Sequence, residues 1–211
     1  MVPMTRISLL SLISSRLGYT GFPASGGTLF CHQPLRGQYS YLGRVYEPAS
    51  ADGVQRWADS AGHPGSPYLS FLEQAANGLS FANIALFGIV AIIDRTVGAH
   101  AGQPISLDYG NLAERPAQME RADLVIGSVV GWSSEGRYIM KSDGTVRLTH
   151  AFDADDVADE WASLTAMLEA EISRVAEAHD ANGRCLSSAT GLMHPAGRRW
   201  ETSTEPGAAL H

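Results

Sequence analysis

A chain of 211 residues with 45% apolar and 18% charged side chains can build one generous core, and its formal charge of −7 argues against non-specific binding to nucleic acid or anionic lipid. The two cysteines, Cys31 and Cys185, lie far apart and outside any CxxC or Cys/His cluster, which fits a cytoplasmic protein with free thiols rather than a zinc site or a disulfide framework. No stretch approaches the roughly 20 apolar residues that span a bilayer, so a soluble protein is expected.

The run ISLLSLI after Arg6 is short and broken by serines, and no small-x-small cleavage site follows it. Residues 7–17 are therefore expected to form a short amphipathic helix ending at Gly18. Residues 18–48 are rich in Gly, Pro and aromatic side chains, with Tyr39, Tyr41 and Val45 hinting at extended structure. Gly26-Gly27 has no Lys-Ser/Thr after it and is expected in a loop, not a phosphate cradle. Ser50 caps a helix that runs through Asp52, Val54, Trp57 and Ala58 and closes near Gly62.

The chain is organised around residues 66–90. Tyr68, Phe71, Leu72 and Ala75 recur at helical spacing, Pro67 suits the first turn, and Asn77-Gly78 supplies a left-handed stop. The apolar residues that follow, Leu79, Phe81, Ile84, Leu86, Phe87, Ile89 and Val90, predict an extended segment crossing a core. Residues 92–102 should leave that core with Asp94 and Arg95 at the surface. In ISLDYGNLAERP, Ile105 and Leu107 alternate with polar neighbours and Pro116 blocks a helix, which reads as coil with a short extended piece.

Leu124-Val125-Ile126-Gly127-Ser128-Val129-Val130 has the length and β-branching of a buried strand. Tyr138-Ile139-Met140 and Val146-Arg147-Leu148 flank Asp143-Gly144, a hairpin signal. Three successive antiparallel strands are predicted here, the first two joined by Gly131-Trp132-Ser133-Ser134-Glu135-Gly136. Val157, Trp161, Leu164, Leu168, Ile172 and Val175 then mark one long helix. Strands followed by helices without βαβ alternation make the fold class α+β, an antiparallel or mixed twisted sheet packed by helices.

Between residues 151 and 180 the acidic side chains are Asp153, Asp155, Asp156, Asp159, Glu160, Glu169, Glu171, Glu177 and Asp180, opposed only by Arg174. Carboxylates at the start of a helix are favoured by its macrodipole, which accounts for the first five as ordinary solvated charge. The functional alternative is an acidic surface that steers a basic partner. Signatures of catalysis are sparse. The segment 131–136 imitates a nucleophile elbow, but Glu135 stands where glycine is required. Histidines 32, 63, 100, 150, 179, 194 and 211 form no HxxxH or HExxH pair, so no metal and no cofactor is expected.

Pro48-Ala49-Ser50 before a Trp-bearing helix, then PYLSFLEQAANGLSF, ALFG, the IGSVV strand, the hairpin and DEWASL together resemble the SUKH superfamily, the Smi/Knr-type proteins. The matching positions are Pro67, Tyr68, Phe71, Leu72, Asn77, Gly78, Leu86, Phe87, Gly88, Gly127, Asp143, Gly144, Trp161 and Leu164. The likeness covers roughly residues 48–180. It suggests an extension packed on the domain over residues 1–47, a SUKH-like domain over 48–182 and a weakly ordered tail over 183–211 carrying Arg198-Arg199-Trp200. Ser66 departs from the pattern, which often has Leu there.

The resemblance implies an α+β domain without catalytic residues. Bacterial members are commonly immunity proteins that bind and neutralise a toxin, often a nuclease or deaminase. The implied partner is a basic protein toxin occluded by stoichiometric binding, with no direct nucleic acid or membrane partner, and the protein itself a monomer or homodimer. Asp153, Asp155, Asp156, Asp159 and Glu160 are the first candidate contact surface, and Trp132, Glu135 and Tyr138 beside the hairpin a second. The alternatives are a regulatory scaffold binding several host proteins, as eukaryotic members suggest, and a hydrolase using Cys31-His32.

Overall fold

Helix ends written into the sequence set the framework. In the computed structural model, which describes residues 4–32, 41–90, 103–130, 135–180 and Leu186, helix α1 spans Arg6–Leu17. Thr5 and Ser8 form a reciprocal capping box at its start, and Gly18 (φ 63°) ends it in the left-handed conformation. Helix α2, Ala51–Ala61, is capped by the Ser50 hydroxyl on the Gly53 amide and stopped by Gly62 (φ 73°). Helix α3, Pro67–Gln74, starts at a proline, and Gly78 (φ 85°) turns the chain out of it. Helix α4 spans Leu164–Glu177, with the Ser163 hydroxyl on the Ala166 amide.

Among the described residues nine strands form one sheet in which each strand pairs antiparallel with its neighbours in sequence. They are β1 (Tyr19–Ala24), β2 (Gly27–His32), β3 (Tyr41–Tyr46), β4 (Leu79–Phe81), β5 (Ile84–Leu86), β6 (Leu124–Val130), β7 (Glu135–Met140), β8 (Val146–His150) and β9 (Asp153–Trp161). The fold class is α+β, and the sheet is antiparallel throughout. On its inner face the cross-strand partners Val45, Leu79, Leu86, Gly127, Tyr138 and Leu148 run across the middle of the sheet. Leu9 and Ile13 of α1 and Met167, Leu168, Ile172 and Val175 of α4 join them in one buried cluster, and α1 packs against α4. The outer face carries a more polar row of partners, Arg44, Ser80, Ala85, Ser128, Arg137 and Thr149.

β1 and β2 form a hairpin whose two-residue turn is Ser25-Gly26, where a loop was expected at Gly26, and β3 continues the ladder through Tyr41 and Val45, where extended structure was expected. Because β3 pairs with β4, one sheet runs across residue 47, where the likeness put the start of the domain, and β1–β3 share that sheet with the strands that follow. Three expectations are corrected. The apolar segment after Gly78 is two short strands, folded back at Ala82 (φ 51°) and Asn83 instead of crossing the core once. The long helix begins at Leu164, so the described residues of the second half hold four strands, and the acidic run belongs to edge strand β9. Carboxylates there cannot serve a helix macrodipole. Residues 92–102, the connection 131–134 and the tail apart from Leu186 lie outside the described residues.

Candidate functional site

One segment between β5 and β6 crosses the outer face of the sheet. It is tied to the chain after β5 by a parallel bridge between Gly88 and Ser106, and to the start of β9 by a parallel bridge between Ala117 and Asp153. Its middle contains a π-helical turn, Tyr109–Ala113. Asn111 fastens this turn from below: its amide nitrogen donates to the Leu107 and Val125 carbonyls, and its side-chain oxygen accepts the Val125 amide, all at 2.8–2.9 Å. Further along, the Glu114 carboxylate meets the buried Arg137 guanidinium of β7 at 2.5 Å and accepts the Tyr109 hydroxyl. Arg137, a polar member of the outer row, is buried where it meets this strap, and Ser128 and Thr149 of the same row are buried as well.

The strap and the turn it reaches present apolar side chains to solvent. Leu112 is 78% exposed and Phe152, between β8 and β9, 70% exposed. The two ends of this surface are linked through Ala117, which donates its amide to the Phe152 carbonyl and accepts that of Ala154. The coil expected from ISLDYGNLAERP contained no sign of this arrangement, because Asn111 looks like a turn residue until its acceptors on β6 are known.

Strand β9 borders the same surface. Among the described residues it pairs along its length with β8 and, at its first residue, with Ala117 of the strap, and the register with β8 slips at Leu148/Thr149 and again at Thr149/His150. Asp155, Asp159 and Glu160 are exposed, whereas Asp153 and Asp156 are half-buried. Ala154, Ala158 and Trp161 pack against the core. The carboxylates are locally ordered: Asp153 accepts the Asp155 amide, Asp159 accepts the Glu160 amide, and Glu160 pairs with Arg147 of β8 at 2.5 Å. Charge and bulges on an edge strand discourage edge-to-edge pairing, and that structural role needs no partner. The same placement leaves three carboxylates on an open rim where long-range attraction acts.

More acid flanks the β7–β8 turn. Lys141 bridges Asp123 at 2.6 Å and Glu120 at 2.9 Å. Burial works to lower the Lys141 pKa, but its hydrogen bonds to Asp123 and Glu120 prevail and raise it. The Lys141 hydrogen bond holds the Glu120 carboxyl below its usual range. The Thr145 backbone amide does the same for Asp143.

The second candidate patch does not assemble. Tyr138 is fully buried on the inner face beside Trp161, and burial first, with the Glu171 charge second, drives its hydroxyl far above the ordinary tyrosine pKa. It is a core residue, unavailable to a partner. Glu135 opens β7, with its side chain outside the described residues, and Trp132 lies outside them altogether. The Cys31 thiol is buried, and burial pushes its pKa up, the opposite of what activates a nucleophile. Among the described residues no group of three His, Cys, Asp or Glu side chains is placed to hold a metal, and no helix is long and apolar enough to cross a membrane. No protein-family model, curated protein or solved structure matches the chain.

Proposed function

We propose that this chain is a SUKH-type immunity protein that neutralises a basic toxin in the cytoplasm, such as a nuclease, by stoichiometric binding. The observation that supports this reading is the open edge strand β9, with Asp155, Asp159 and Glu160 at the surface and exposed Phe152 at its start. Carboxylates fixed on a sheet edge mimic the spaced negative charge a basic nuclease groove accepts from phosphates. They give association speed, while apolar side chains such as Phe152 and Leu112 give the tightness that charge at a wet rim does not.

The test is purification of the tagged protein from its native host, with mass spectrometry of what stays bound at low and at high salt. A single stoichiometric partner, loosened by salt, supports the reading. Charge reversal of Asp155 and Asp159 should then slow association with that partner by about tenfold at low ionic strength, with the difference shrinking as salt screens it. Several unrelated host proteins in place of one partner would favour a regulatory scaffold.

A further inference from the structure

A cavity of about 380 Å³ lies where the starts of α3 and α4 meet the β7–β8 turn. That is the small end of the roughly 300–1,000 Å³ range of ligand pockets, suited to one long side chain. Its walls include Phe71, Met140 and Leu164, and Ser70, Thr165 and Asp143 also line it. Ala162, the residue after β9, is also part of the wall, so the cavity sits at the end of the acidic edge. Of the carboxylates around the β7–β8 turn and the end of β9, Glu120 and Asp123 pair with Lys141 and Glu160 pairs with Arg147, while Asp143 accepts the Thr145 amide.

We propose that this cavity receives an arginine side chain of the basic partner, its methylene stem against Phe71, Met140 and Leu164 and its guanidinium on Asp143. This rests on the toxin-binding reading above and adds the anchoring contact. An arginine fits because its stem needs an apolar wall and its charge needs a carboxylate already held ionised. Asp143 meets the last condition through the Thr145 amide. Two helix starts nearby would ordinarily favour an anion. Acetate is therefore the competing probe, although α3 begins with Pro67, which has no amide hydrogen, and in α4 the Ala166 amide is already taken by Ser163.

The experiment is titration of the isotope-labelled full-length protein with Nα-acetyl-arginine methylamide, the matching citrulline compound and acetate, followed by amide NMR. Expected are saturable shifts at Ser70, Gly144 and Thr165 with the arginine compound, and binding about fivefold weaker with citrulline. Asp143→Asn, which keeps the turn-forming side-chain oxygen, should lower arginine affinity by a similar factor. Equal response to citrulline, a stronger response to acetate, or no saturable shift at these amides overturns the inference. Because these probes act on the protein alone, a cavity indifferent to arginine leaves the toxin-binding reading standing. A responsive cavity in a protein that captures no single partner would remove that reading and leave the site.

Discussion

Arg6 shows how one side chain can join four elements. Its guanidinium donates to the carbonyls of Tyr46 (2.8 Å) and Ala75 (3.4 Å), to the Thr28 hydroxyl (3.2 Å) and to the Glu47 carboxylate (2.6 Å). It thereby ties the start of α1 to β2, to the end of β3 and to the end of α3. Arg6→Met would leave those acceptors without their donor, and we expect a loss of about 2–4 kcal/mol in urea unfolding. Lysine at this position, with a point charge in place of a fork, should recover only part of it. A second prediction concerns His63, whose ring stacks on Trp57 at 6.2 Å. Burial lowers its pKa, helped by the charges of Arg115 and Arg121 and opposed by Asp123. A depressed folded-state pKa means that the unfolded chain takes up the proton first. Stability is therefore complete above the ordinary histidine value of 6.5 and falls as pH drops through and below it. Melting temperature measured from pH 8 to pH 5 should decline, and His63→Gln should flatten the decline. A His63 ring signal titrating at or above 6.5 would contradict this.

The elements differ in how plainly the sequence announces them, and the difference is physical. Gly18, Ser50, Gly62, Pro67 and Gly78 act within a few bonds of themselves, so the ends of α1 and α2 and the start of α3 could be foreseen from their residue types. The Asp143-Gly144 turn was legible for the same reason, and Gly144 indeed has a positive φ of 91°. The start of α4 was not. Val157 and Trp161 continue the spacing of Leu164, Leu168, Ile172 and Val175 so smoothly that periodicity favoured one helix, while the cap at Ser163 and pairing with β8 decide otherwise. The strap was equally hidden, since its fixing partners lie on other strands. Asn111→Leu should expose this dependence. It removes three buried hydrogen bonds, should cost about 2–4 kcal/mol, and should speed amide exchange along residues 106–117 more than in α4. Uniform acceleration everywhere would mean that Asn111 supports the whole fold and not the strap.

At the scale of the molecule, α1 and strands β1–β3 are structural. The three strands extend the sheet, and Leu9 and Ile13 are part of the core shared with α4. Deletion of residues 1–47 would uncover β4 as a bare edge and expose the α4 face that α1 covers. The truncated chain is expected to be insoluble or to lose cooperative unfolding, whereas a dispensable extension would leave the melting transition intact. The candidate site also emerges only at this scale. The acids of β9 are visible in the sequence, but their neighbourhood with Phe152, the strap and the cavity at α4 is created by three separate segments meeting beside one edge.

The unbroken order of the strands has a consequence for synthesis. A chain leaving the ribosome can zip each hairpin onto the last without waiting for distant sequence, so most of the sheet is open to assembly during translation. Helix α1 emerges first, yet the helix that packs against it, α4, is the last of the described helices to emerge. The part of its apolar face that α4 covers thus stays open until nearly the whole domain has been made, a natural stretch for a nascent-chain chaperone to guard. Release of α4 is then the event that turns a growing ribbon into a finished protein.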